Sequence, residues 1–129
     1  MPQEFNRYLV VLAGAGLGGL GRYVAGTWIM AKYGGRFPLG TFIINISGSF
    51  LIGLIVTLLA ERTHWSANLL YLIPIGFIGA YTTFSTFELE VFRSVRSGDV
   101  LLALLYVTVS VCLGFAAVWL GILSGRALE

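Results

Sequence analysis

Residues 79–88 read Gly79-Ala80-Tyr81-Thr82-Thr83-Phe84-Ser85-Thr86-Phe87-Glu88, with five hydroxyls and three aromatic rings at the end of an otherwise apolar run. An uninterrupted spanning helix favours Leu, Ala and Val in such a place. Thr82, Thr83, Ser85 and Thr86 instead restrict rotamers and compete for backbone hydrogen bonds. Lipid supplies no compensation, so backbone opened at this depth has to line a protein cavity or an ion site.

The rest of the chain supplies the membrane. Of its 129 residues 57% are hydrophobic and 11% charged, and the mean hydropathy is +0.89. A soluble domain carries about 25% charged residues. The gaps between charges are long enough to cross a bilayer, and four spans fit, at about 8–30, 39–60, 67–87 with an extension to 96, and 100–123. The expected fold is an all-α membrane protein forming one four-helix domain over residues 1–129, multi-pass, with lipid around it. No soluble domain, linker, repeat or low-complexity tract remains. The first span is too long, and its start too lightly charged, for a cleaved signal peptide. Cys112, the single cysteine, lies mid-span and reads as a small core residue; being alone, it excludes an intrachain disulfide. His64 stands alone in a short loop, and no triad, phosphate loop or metal-ligand cluster suggests an enzyme. No nucleic-acid partner is expected.

Orientation is weakly encoded. With four spans, Arg7, Arg62 and Arg126 fall on one side and Lys32, Arg36, Arg93 and Arg96 on the other, a bias of three against four. Insertion normally follows an excess of Lys and Arg in cytoplasmic loops, so the chain is expected to insert both ways up. Two opposed copies forming one antiparallel homodimer would enclose a polar pathway that four short helices alone do not easily enclose.

Within the spans, the Gly14 to Gly18 spacing and the other glycines read as seams of close helix contact. Thr41, Asn45, Ser49, Gly53 and Thr57 recur every four residues and form one polar stripe on an apolar helix. Ser49 and Thr57 suit bonds across helices or back to their own turn, whereas an intramembrane amide at Asn45 is costly to leave unpaired and marks a candidate site. Tyr106 and Ser110, one turn apart, are weak donors suited to an anion that must be desolvated and released; Tyr106 also fits a packed or interfacial ring. Arg22 either snorkels to the interface or concentrates anions at a pore mouth. Glu88 and Glu90, with Arg93 and Arg96, read as surface ion pairs. Phe84 and Phe87 share a helix side, with Phe77 and Ala80 continuing it, and such a row either packs or presents positive ring edges to an anion.

Gly18-Gly19-Leu20-Gly21-Arg22-Tyr23, Gly40-Thr41-Phe42-Ile43-Ile44-Asn45-Ile46-Ser47-Gly48-Ser49-Phe50, and Gly76-Phe77-Ile78 leading into the opening stretch resemble the signature segments of the Fluc fluoride channels of microorganisms. The resemblance covers the chain in order, on three spans. It implies an antiparallel dual-topology homodimer with two fluoride pathways in a bacterial inner membrane. It also implies a third helix broken near its middle at Gly79 to Thr82, where the carbonyls of Gly79 and Thr82 from two subunits hold a structural, non-transported sodium ion. Phe84 and Phe87 would be the paired rings of each pathway and Asn45 the donor beside them. Ser85, Thr86 and Ser110 would continue a hydroxyl track, with Thr41 and Tyr106 as further lining and Arg22 at the mouth. The implied function is passive export of F⁻, which lowers intracellular fluoride toxicity.

Two other classes fit a small four-helix chain. A proton-coupled exporter of small cations normally carries a carboxylate deep in a span, and here Glu88 sits at an edge. A purely structural subunit accounts for the glycine seams but not for the Asn45 stripe together with the hydroxyl and phenyl run.

Overall fold

Hydrocarbon holds no water to pair with backbone groups, so apolar spans must close their hydrogen bonds internally. In the computed structural model, which describes residues 2–61 and 66–128, all four do so as helix. Helices α1 (Pro2–Tyr33) and α2 (Leu39–Glu61) are continuous, as is the last helix, Val100–Ala127. The 32 residues of α1 reach about 48 Å at the α-helical rise, well beyond a hydrocarbon core of about 30 Å. Among the described residues, four regions are long and apolar enough to cross a membrane. Arg62 and His64 lie outside the described residues.

The third region is composite. It begins as α3 (Asn68–Leu70), widens into a π-helical segment over Tyr71–Ile78, and tightens again as α4 (Gly79–Tyr81). Pro74, inside the π-helical segment, has no N–H to donate, and local widening is one way a spanning helix accommodates such a gap. Thr82 and Thr83 are extended, and the helix resumes as α5 (Phe84–Arg96), leaving Val100–Ala127 as α6.

Small residues set how closely these helices approach. A methyl group at Gly14 would strike the Leu72 carbonyl, and one at Gly18 the Phe77 carbonyl, so α1 lies directly on the backbone of the π-helical segment. Likewise Gly53 meets the Val118 carbonyl and Gly121 the Phe50 carbonyl where α2 packs along α6. Gly16 and Gly19 face open space, so the seam on α1 is narrower than its glycine content implies. Outward faces are apolar, with Leu12, Leu17 and Leu20 of α1 and Leu101, Val111 and Phe115 of α6 exposed.

At one end, two loops are joined. Gly98 adopts φ 86°, a left-handed value that favours glycine, and closes the end of α5. Asp99 then caps α6, accepting the Leu102 N–H at 3.4 Å, and pairs with Arg36 of the α1–α2 loop. Arg36 is exposed, so this pair contributes about 0–1 kcal/mol and serves chiefly to register the loops.

Gly18→Ala is expected to destabilise the protein by about 1–3 kcal/mol, because the added methyl meets backbone that cannot rotate away. Gly16→Ala, into open space, should stay within about 0.5 kcal/mol. Thermal unfolding of the two variants in detergent checks the contrast; equal losses would mean that the α1 seam does not rest on Gly18.

Candidate functional site

The interruption at Thr82 and Thr83 is satisfied bond by bond. Thr82 retains a helical bond, its N–H donating to the Ile78 carbonyl at 3.1 Å, and its hydroxyl donates to the same oxygen at 3.0 Å. Its backbone then turns to φ −82°, ψ 158°, followed by Thr83 at φ −149°, ψ 121°. In an unbroken helix the Thr83 N–H would bond to the Gly79 carbonyl. Here it donates to Oδ1 of Asn45 at 2.8 Å, while Nδ2 of Asn45 donates to the Thr83 carbonyl at 3.0 Å. One side chain of α2 thus pairs with both backbone groups of one residue, as a neighbouring strand would.

The restart is built from threonine. Thr83 Oγ1 caps α5 by accepting the Thr86 N–H at 3.3 Å and donates its own proton to the Thr86 hydroxyl at 3.1 Å. That N–H would otherwise serve the Thr82 carbonyl. The Gly79 and Thr82 carbonyls have therefore both lost their helical donors. Arg22 of α1 donates through Nε to the Ala80 carbonyl at 3.1 Å.

A second polar centre lies nearly two turns into α5. Glu90 accepts the Thr41 hydroxyl of α2 at 2.7 Å on one carboxylate oxygen and the Tyr106 hydroxyl of α6 at 2.8 Å on the other. This corrects the surface-ion-pair expectation: the Glu90 carboxylate accepts hydroxyl donors from two other helices, and among the described residues neither Arg93 nor Arg96 pairs with it. Glu88, by contrast, is exposed. Sequence reasoning misses Glu90 as a site residue, although its position three after Phe87 places both on one face of α5.

Tyr106 is fully enclosed. Its ring meets Phe87 at 4.9 Å between centroids and 67° between planes, and Phe37 at 5.2 Å and 75°, both edge-to-face arrangements favoured by the ring quadrupole. Phe84 and Phe87 are adjacent, with centroids 6.0 Å apart, but differ in surroundings: Phe87 is 7% exposed and Phe84 74%. Phe77 does not continue their row. It stacks on Tyr81 at 5.8 Å, both rings facing Gly21 of α1. The extended pair resets the helical phase, which turns Phe77 away from the row of Phe84 and Phe87.

The polar stripe of α2 divides accordingly. Thr41 reaches Glu90, Asn45 reaches Thr83, and Thr57 bonds back to the Gly53 carbonyl of its own turn at 2.8 Å. Ser47, off the stripe, shares a 3.0 Å hydrogen bond with the Tyr81 hydroxyl. Two recesses flank the interruption. One, of about 260 Å³, is lined by Asn45, Ser49, Thr82, Thr83 and Phe84 among others. The other, of about 190 Å³, includes Arg22, Thr41, Thr83 and Thr86. Ser85 is exposed, Gly79 is exposed and helical, and the Ser110 hydroxyl on α6 is buried without a hydrogen-bond partner among the described residues. The arrangement gathers neutral donors and aromatic edges along the junction of three helices, chemistry suited to holding a small ion weakly.

Known proteins share this chain nearly end to end. The family model described as CrcB-like protein, Camphor Resistance (CrcB), matches residues 9–122. A protein of Acidobacterium capsulatum named fluoride-specific ion channel FluC is 49% identical over 122 residues, covering 95% of this chain and 98% of that one. Proteins of the same name are 47% identical in Solibacter usitatus and 41% in Coxiella burnetii, each match covering 93% of this chain and 98% of the relative. A four-helix membrane chain that aligns with these proteins across all of its spans belongs to the CrcB-like family.

Proposed function

We propose that the protein is a fluoride-selective channel in a bacterial inner membrane, through which F⁻ leaves the cytoplasm passively, lowering fluoride toxicity. The observation that carries this reading is the cluster around Thr82 and Thr83: an amide of the second span joined by hydrogen bonds to a run of hydroxyls and two phenyl rings of the third. Near-full-length relatives named fluoride-specific ion channels support the choice of ion.

Fluoride is small and strongly hydrated, so a selective path must replace its water with closely placed donors. Asn45, Thr41, Ser85, Thr86, Tyr106 and Ser110 form that track in the proposed channel, with the edges of Phe84 and Phe87 beside it. Ser110 supports this role through its buried hydroxyl, which has no protein partner among the described residues. At rest the Thr41 and Tyr106 protons point at Glu90, and a fluoride reaching them takes the place of the carboxylate as acceptor. Chloride is wider and less well matched to the same donors.

The working unit is an antiparallel dual-topology homodimer with two pathways. A single chain leaves Phe84 exposed and the Asn45 recess open at its surface, features that a second copy would close. A structural sodium ion fits the third span. The Gly79 and Thr82 carbonyls lack their helical donors because Thr83 and Thr86 bond elsewhere, leaving two hard oxygens per subunit for a cation held at the dimer centre. The ion supplies charge that fixes the opened backbone and is not transported.

Purified protein in liposomes should release fluoride to an electrode only when an ionophore compensates charge, at a rate set by voltage. Efflux that follows a proton gradient instead would make it a coupled transporter. Phe84→Ile, at an exposed position, is expected to abolish flux with little loss of stability. Phe87→Ile should abolish flux and also cost about 1 kcal/mol through the lost Tyr106 contact; normal single-channel currents in both variants would reduce the rings to packing. Exchanging sodium for a large organic cation should lower the melting temperature of the dimer, and an unchanged value would remove sodium from the site.

A further inference from the structure

Gly14, Gly18 and Arg22 succeed one another at intervals of four along α1 and face Leu72, Phe77 and Ala80 of the third span. The first two contacts bring α1 onto the backbone, and the third falls where the helix stops. At that stop the last carbonyls of the helical half are without helical partners, and the end of a helix carries a partial negative charge. The Ala80 carbonyl would accept the Phe84 N–H in a continuous helix. It instead accepts Nε–H of Arg22 at 3.1 Å.

A guanidinium inside a span is costly unless it is satisfied. No carboxylate among the described residues pairs with Arg22, and it is half-buried. The helix terminus is its counter-charge. We infer that Arg22 is a positioning residue, which holds the end of the first half of the third span through the Ala80 carbonyl and so fixes the Thr82–Thr83 interruption from α1, as Asn45 does from α2. Its charge acts on the backbone of the span and not by concentrating anions at a mouth. Arg22 and Asn45 form two struts, from α1 and α2, on either side of residues 81–82. Together they keep the helix from closing through and keep Thr83 placed to cap α5.

Two mechanisms for one residue predict different salt behaviour. A mouth charge acts through space and is screened by salt, whereas a hydrogen-bonded helix cap is largely not. The inference rests on the channel reading for its flux measurement, while hydrogen exchange of the same segment is independent of it. In assembled Arg22→Gln dimers, fluoride flux per dimer is expected to fall about tenfold at low and at high concentrations of an impermeant salt, and amides of residues 82–86 to exchange about tenfold faster, a loss within the range of a partly buried charge at a helix end. Should the Gln variant fail to assemble, Arg22→Met, apolar and of comparable length, carries the same measurements. A flux loss that disappears in high salt, or unchanged exchange at residues 82–86, overturns the positioning role; so does faster exchange with undiminished flux. If the wild-type protein conducts no fluoride, the channel reading fails, and the exchange comparison still decides whether Arg22 holds the segment.

Discussion

A backbone that leaves helical geometry inside a membrane must find its hydrogen bonds in protein, and the pairing of Asn45 with Thr83 is where this chain finds them. The bond to the Thr83 N–H replaces one that a continuous helix would have made for itself, and the bond to the Thr83 carbonyl adds to that carbonyl's place as the N-cap of α5. Without the pair the Thr83 N–H lies at membrane depth unpaired, at a cost of about 1–3 kcal/mol by protein measurements and more against hydrocarbon. The pairing also sets the phase of the next helix. With its backbone held extended, Thr83 directs its hydroxyl at Thr86 and starts α5 in one orientation. That orientation places Phe87 on Tyr106 and Glu90 between Thr41 and Tyr106. The polar centre of the molecule therefore depends on one amide on a neighbouring helix.

The amide can reach Thr83 because the third span is seated correctly against its neighbours. Gly14 and Gly18, four apart, lie against carbonyls of Leu72 and Phe77, five apart. A π-helix bonds i to i+5 and takes more residues per turn than an α-helix, so the wider segment lets two unequal spacings run alongside each other. Glycine supplies the nearness. On the other side, a methyl at Gly48 would strike the Thr82 side chain, so α2 carries glycine where the Thr82 side chain passes and an amide one turn earlier, at Asn45.

Much of this is legible in the sequence because polar atoms are scarce in apolar helices. Thr41, Asn45, Tyr106 and the hydroxyl run stand out against Leu, Ile and Val for the same reason that they matter: each needs a partner that lipid does not provide. Partners are less legible. Asn45 pairs with backbone, which has no sequence identity. Glu90 has basic residues close by on its own helix, yet its acceptor oxygens face two hydroxyls on other spans. The π-helical segment is invisible because eight apolar residues show no useful periodicity. The expectation that Phe77 and Ala80 continue the row of Phe84 and Phe87 assumes one uninterrupted helix, and two extended residues are enough to turn the earlier ring toward α1.

Phe84 and Phe87 look equivalent in sequence, and the structure makes them unequal for a simple reason. Phe84 opens α5, with only extended chain before it, whereas Phe87 lies a turn later, where α6 has closed in. One ring is consequently fixed by Tyr106, while the other stands 74% exposed beside the recess of Asn45, Ser49 and Thr82. A lone chain gains nothing from an aromatic ring held at the edge of an open polar recess. Whatever closes over that recess meets Phe84 first, and in the proposed dimer this is a second copy bringing the same unfinished edge. Each pathway would then combine an anchored ring with a ring whose place is set by the partner.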